Sequence, residues 1–246
     1  MATFAVILPA AGKSSRFRDQ FFKKPFAPLE GRPVWLHAAE KFANRADVAQ
    51  TLLVISPEDR AEFQEKSGAH AALLGIEVVE GGEQRYDSVA AALARVKPNI
   101  DFVAVHDAAR PCLAAEWIDH VFAAAERTGA ALLAAPLTGT IKRVAADNTI
   151  AGTVPREGLW EAQTPQVFRR KLLLEAYAQR GNQAVTDDAE LVERLGHAVA
   201  VVACSAMNLK ITTKDDLRLA AAILKALPKP KLAGPAHPFG GDNLWR

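Results

Sequence analysis

Cysteine is scarce: the 246 residues hold only two, Cys112 and Cys204. Two thiols are too few for the disulfide framework of a small secreted scaffold and fit a reducing compartment. A charge of one sign is lacking too, since 30 Lys and Arg face 28 Asp and Glu for a formal +2. That balance excludes a nucleic-acid binder acting through bulk electrostatics. No apolar run reaches the roughly 18 residues of a membrane span. No basic stretch precedes an apolar one at the N-terminus, so the chain reads as mature and cytoplasmic. The six histidines show no ligand spacing, which argues against zinc. Neither the Walker loop nor G-x-G-x-x-G is present, which sets aside ordinary kinases, GTPases and dehydrogenases. No Ser-His-Asp or Cys-His order appears.

What is present is a globular composition, 50% hydrophobic and 24% charged. Phe4–Leu8, Thr51–Ile55, Glu77–Glu80, Phe102–His106, Ala130–Ala135 and Ala198–Cys204 read as strands, Phe4–Leu8 and Phe102–His106 as buried ones. Helical stretches alternate with them: around Val34–Phe42, Ser88–Val96, Trp117–Arg127, Arg170–Gln179, one opened by Asp187, and one from Thr213 to about Ala226. Ser56-Pro57 reads as an N-cap, and Asp187 with Glu190 as an acidic capping box. This rhythm predicts an α/β domain with a mostly parallel sheet and helices on both faces. Thr140–Val144 and Thr149–Thr153 flank the turn residues Asp147-Asn148, so an inserted β-hairpin is expected to project as an arm over about 137–156. The expected domain runs over 1–226, and the Pro- and Gly-rich stretch 227–246 reads as an irregular tail.

Ligands in such folds bind beyond the carboxyl ends of the strands. The loop Pro9-Ala10-Ala11-Gly12 is followed by Lys13, Arg16 and Lys24, small residues with cations that suit a triphosphate. Gly81-Gly82 precede Arg85, Asp87 and Ser88, where backbone amides and a hydroxyl can meet the edge of a base. His106-Asp107-Ala108-Ala109-Arg110-Pro111 puts an acid and an arginine at a strand end. There Asp107 could hold magnesium or a substrate hydroxyl, or pair structurally with Arg110. His106 reads as a structural residue and Cys112 as packing. Lys210, in Asn208-Leu-Lys-Ile-Thr212, could enter the same crevice.

Taken in order, these motifs resemble the 2-C-methyl-D-erythritol 4-phosphate cytidylyltransferase family. Thr140-Ile-Lys142, Thr153–Arg156, Gln163-Thr-Pro-Gln166 and Thr186-Asp-Asp-Ala189 extend the likeness, which runs from about Phe4 to Leu224. The resemblance implies a Rossmann-like nucleotidyltransferase of the GT-A-like kind, with CTP and a polyol phosphate as substrates and Mg²⁺ as cofactor. It implies that Arg16 and Lys24 stabilise the transition state and that Arg156 and Lys210 position the attacking phosphate. Asp107, Arg110 and Thr140 would bind the erythritol substrate, Ala10, Ala11, Gly12, Gly82 and Ser88 the nucleotide, and Asp107 the metal. It further implies a homodimer clasped by the arm, with Thr140 serving the neighbour's site. Three positions depart from the pattern. Ser14 stands where a second glycine is usual, Lys23-Lys24-Pro25 replaces Pro-Lys-Gln, and Gly139 replaces an acid. The alternatives are a ribitol-5-phosphate cytidylyltransferase, disfavoured by the loops Pro9–Gly12 and Ala108–Arg110, and a non-catalytic nucleotide-binding paralogue, which would lack the cations.

Overall fold

The computed structural model describes residues 1–12, 14, 17, 22–181 and 184–228. In chain order the elements are β1 (Phe4–Pro9), β2 (Pro28–Leu29), β3 (Arg32–Pro33), α1 (Val34–Ala43), β4 (Val48–Ile55) and α2 (Arg60–Leu73). Next come β5 (Glu77–Glu80), α3 (Arg85–Leu93), β6 (Phe102–Val105), α4 (Ala115–Thr128), β7 (Ala130–Pro136), β8 (Ile141–Val144) and β9 (Ile150–Val154). The chain closes with β10 (Trp160–Arg169), α5 (Arg170–Ala178), α6 (Asp188–Arg194), β11 (Ala200–Ala203) and α7 (Lys214–Ala226).

A seven-stranded sheet runs β11-β7-β10-β6-β1-β4-β5, and β8 pairs only with β9 as the expected arm. Strand alternation decides which side chains face which layer. Phe4, Val6 and Leu8 of β1 pack with Trp35 and Phe42 of α1 and Ile118 and Phe122 of α4. Ala5 and Ile7 point the other way, against Val89 and Leu93 of α3 and Leu173 of α5. Both faces of β1 are therefore buried, which explains its unbroken apolar run. Each fully buried large side chain in these layers contributes about 1.5–3 kcal/mol. Gly129 ends α4 at φ 86°, a left-handed cap that a side chain would strain.

One strand differs from the sequence reading. β10 lies antiparallel between β6 and β7, where no strand was expected. Its polar start and Pro165 disguise it. Proline offers no N–H to a ladder, and the pairing with β7 skips from Ala162 to Gln166. Of the skipped residues, Gln163 and Thr164 line a cavity instead. Two caps also differ. Ser56 makes no cap bond and donates to Asp59 Oδ2 at 2.6 Å, ahead of a short 3₁₀ turn. Glu190 reaches back to Thr186 rather than to Asp187, so only the Asp187 half of that capping box forms.

Candidate active site

β1 sits between β4 and β6, so the chain passes to opposite sides of β1 and leaves a crevice at the strand ends. A cleft of about 150 Å³ opens there, lined by Ala10, Ala11, Gly12, Lys24, Gly82 and Ser88, with Arg85, Asp107 and Lys210. Eight residues given a role from the sequence, and Arg85 beside them, thus meet around one space. Arg110 lies in an adjoining cavity that shares Arg85, Asp107 and Lys210 and is also walled by Gln163, Thr164 and Gln166.

Small residues are required where the loops touch. A side chain on Gly81 would meet Ser88 Oγ at 2.6 Å and Ala11 Cβ at 2.9 Å, and one on Gly82 would meet Asp87 Cβ at 2.5 Å. Around Gly12 there is nothing within 4 Å of such a position. Ser88 is buried and its hydroxyl donates to Gln84 O at 3.1 Å. It therefore meets the cleft as an acceptor.

Ser14 adopts φ 53°, the left-handed region that glycine usually fills. The hydroxyl compensates: the Lys24 backbone N–H donates to Ser14 Oγ at 3.1 Å. Lys23 turns away, its Nζ held 2.8 Å from Asp59 Oδ2 and 3.2 Å from Glu58 Oε1. Burial works against its charge, but those two carboxylates raise its pKa above the ordinary value.

Asp107 is the electrostatic centre. Its Oδ2 lies 2.6 Å from Lys210 Nζ and 3.7 Å from Arg110 Nε, and its Oδ1 lies 3.3 Å from Arg85 Nε. Burial alone would push this carboxyl upward; Arg85, Lys210 and Arg110 together hold it well below the usual carboxylate range. The structural Asp107–Arg110 pair is present, at 3.7 Å, and belongs to a larger cluster.

His106 behind it is fully buried, with a pKa lowered to about 4 chiefly by burial. The Asp107 N–H donates to Thr164 Oγ1 at 3.1 Å, and Thr164 Oγ1 lies 3.0 Å from His106 Nδ1. His106 Nε2 lies 3.0 Å from Arg110 O, which can only accept. The neutral ring therefore carries its proton on Nε2 and takes the threonine proton on Nδ1. Lys210 is placed by stitches on either side. Asn208 Nδ2 donates to Thr164 O at 2.9 Å, Arg110 Nη1 donates to Asn208 O at 2.6 Å, and Ile211 N donates to Ala109 O at 2.8 Å.

Not every expected residue joins this cleft. Thr140 and Arg156 are exposed on or beside the arm and line neither cavity, Arg156 donating to Thr138 O. Arg16 and residues 229–246 of the tail lie outside the described residues. Arg85 was part of a motif but had no role; its signal was a cation beside the glycine pair. A separate groove is lined by Phe22, Phe26 and Phe63 with Arg32, Lys66, Asp59 and Glu62, and shares no residue with the cleft.

Asp107 does not suit the expected magnesium ion. Magnesium takes free carboxylate or phosphate oxygens, and both Asp107 oxygens already face cations. Among the described residues no group of three or more His, Cys, Asp or Glu could hold a metal.

A cleft of strand-end backbone and cations around one carboxylate fits nucleotide chemistry, and comparison with known proteins identifies which. The family model for 2-C-methyl-D-erythritol 4-phosphate cytidylyltransferase matches residues 4–226. The chain belongs to that family. A relative of this name from Rhodopirellula baltica is 45% identical over 234 residues, covering 91% of this chain and 95% of its own length. Another, from Bacillus licheniformis, is 39% identical over 91% of this chain and 96% of its own. The crystal structure of the Thermus thermophilus protein of this name superposes with a TM-score of 0.74 at 34% identity, covering 92% of this chain and all of the other. This cytidylyltransferase-family chain is therefore a nucleotidyltransferase with an α/β fold. No helix of the described residues is long and apolar enough to cross a membrane.

Proposed function

We propose that the cleft transfers a cytidylyl group from CTP to 2-C-methyl-D-erythritol 4-phosphate. The carrying observation is that Lys24, Lys210 and the backbone of Ala10–Gly12 and Gly82 line one space. In the reaction an acceptor phosphate oxygen attacks the α-phosphorus of CTP, forming one P–O bond. The bond from that phosphorus to the bridging oxygen breaks, and pyrophosphate leaves with the electron pair. A phosphate monoester is already a nucleophile, so no base or covalent enzyme intermediate is needed. The rate then depends on alignment and on neutralising charge.

The chain's own cations are assigned those tasks. Lys24 faces the phosphates and, with Arg16, stabilises the charge that develops on them. Lys210, anchored on Asp107, orients the attacking phosphate together with Arg156. Arg110 and Asp107 meet the acceptor hydroxyls, joined by Thr140. Ser88, as an acceptor, suits the amine of cytosine and repels the carbonyl that uracil carries at that position. The amides of Ala10–Gly12 and Gly82 approach the nucleotide. The divalent cation that the resemblance implies has no protein carboxylate to sit on at Asp107, so it would belong to the triphosphate.

Thr140 and Arg156 reach a cleft only if they serve a partner's. Val144 and Ile150 of the arm are exposed apolar residues, as an interface between subunits would require. The working unit is accordingly a homodimer, with each arm laid across the other subunit. Both cysteines are thiols, in keeping with a cytoplasmic enzyme.

The test is pyrophosphate release from CTP, Mg²⁺ and 2-C-methyl-D-erythritol 4-phosphate by purified protein. Turnover with that acceptor is expected. Turnover with ribitol 5-phosphate alone would overturn the substrate assignment.

A further inference from the structure

A second buried carboxylate stands behind the Asp107 cluster and lines neither cavity. Asp188, the first residue of α6, is 1% exposed, and its Oδ2 lies 2.8 Å from Arg85 Nη1. Its Oδ1 accepts from the Tyr177 hydroxyl. Burial and the charge of Asp188 raise the pKa of that phenol, so it stays protonated and donates. The backbone is held as firmly: Gln166 Oε1 accepts from the N–H groups of Asp188 and Ala189 at 3.1 and 3.0 Å. Gln166 Nε2 donates to Asp187 Oδ2 at 2.9 Å. The start of α6 is thereby fixed to β10.

Arg85 is consequently stretched between two carboxylates, Nη1 on Asp188 and Nε on Asp107 Oδ1. A guanidinium facing one carboxylate prefers a two-pronged pair that occupies both oxygens. With Arg85 on both Asp107 oxygens, Lys210 would share Oδ2 with a second guanidinium besides Arg110, and the contact it makes at 2.6 Å would weaken. A second desolvated carboxylate is costly unless something is gained by it.

We propose that Asp188 is a positioning residue for the transfer: it confines Arg85 to one oxygen of Asp107 and so reserves the other for Lys210. Tyr177 acts one step further out, by orienting Asp188. The inference rests on the role given to Lys210 above.

A double-mutant cycle tests it, since coupling through a shared partner shows as non-additivity. Asp188→Asn keeps the shape and removes the charge. It is expected to lower kcat/KM for the polyol phosphate about tenfold, mainly through KM, with CTP affinity by calorimetry within about twofold of wild type. In the Lys210→Ala background the same substitution is expected to cost less than about twofold, because no Lys210 remains to misplace. Tyr177→Phe, a milder change, is expected to show the same pattern at about two- to threefold and carries the cycle if Asp188→Asn does not fold. Equal losses with and without Lys210, a matching loss of CTP affinity, or wild-type kinetics in a folded Asp188→Asn would overturn the proposal. If Lys210→Ala is itself near wild type, the role given to Lys210 falls first. If Lys210→Ala is impaired but the losses add, only the role of Asp188 falls.

Discussion

Asp59 Oδ2 holds Lys23 Nζ at 2.8 Å, on the side of the loop away from the cleft, while the next residue, Lys24, lines the cleft. Two consecutive lysines are thus turned opposite ways, Lys23 by its pairs with Asp59 and Glu58. Removing Lys24 should therefore cost catalysis and removing Lys23 should not. Lys24→Ala is expected to reduce kcat at least about 10², the scale of one preorganised electrostatic group. Lys23→Ala removes ion pairs near the surface, each worth about 0.2–1 kcal/mol, and should keep activity within a few-fold. Steady-state pyrophosphate release measures both; the reverse ranking would exchange their roles.

Ser14 contains two opposed effects that substitution can separate. Its left-handed φ costs about 1–2 kcal/mol in a residue with a side chain, and its hydroxyl ties down the Lys24 backbone. Ser14→Ala keeps the strain and loses the tie, whereas Ser14→Gly loses both. Urea denaturation should rank Ser14→Gly above Ser14→Ala by about 1 kcal/mol. Both should turn over more slowly than wild type; full activity in both would show that the tie is unnecessary.

His106 links stability to pH. Its folded pKa of about 4 lies below the ordinary 6.5, so between those values the unfolded chain binds the proton and the native state does not. Stability is then constant above about pH 6.5 and falls with acidity down to about pH 4. Between pH 7.5 and 5 the loss from this residue is about 2 kcal/mol. Asp107, whose pKa is depressed, adds its own loss as pH falls through the ordinary carboxylate pKa and below it. His106→Gln should flatten the dependence of unfolding free energy over pH 5–7.5. An unchanged slope would mean that other groups carry it.

The shared-site arrangement makes a prediction that needs no structure of the dimer. Thr140→Ala and Lys24→Ala proteins should each be nearly inactive. After subunit exchange, a mixed dimer has one intact site if Thr140 serves its partner, so a random mixture recovers about one quarter of wild-type activity. No recovery would place Thr140 in its own subunit's site.

Much of the fold was legible because its central strands are buried on both faces, which leaves runs such as Phe4–Leu8 uninterrupted by polar residues. The cleft was legible for the complementary reason. Pro9–Gly12, Gly81-Gly82 and His106–Arg110 break those runs with small and charged residues where a parallel sheet places its ligands. β10 was not, because Trp160–Thr164 has neither alternation nor an apolar run and Pro165 argues against a strand. It is a strand because β6 and β7 flank it and supply its partners.

Residue types and their order along the chain, which local spacing can express, gave the α/β class, the arm and the loops that meet at the cleft. Which cation meets which carboxylate was decided only on folding. Lys24 against Lys23, the three cations on Asp107 and the hold of Asp188 on Arg85 each join segments distant in the chain. Ion pairs of this kind depend on distance and desolvation in three dimensions, and nothing in the spacing of residues along a strand or helix encodes either.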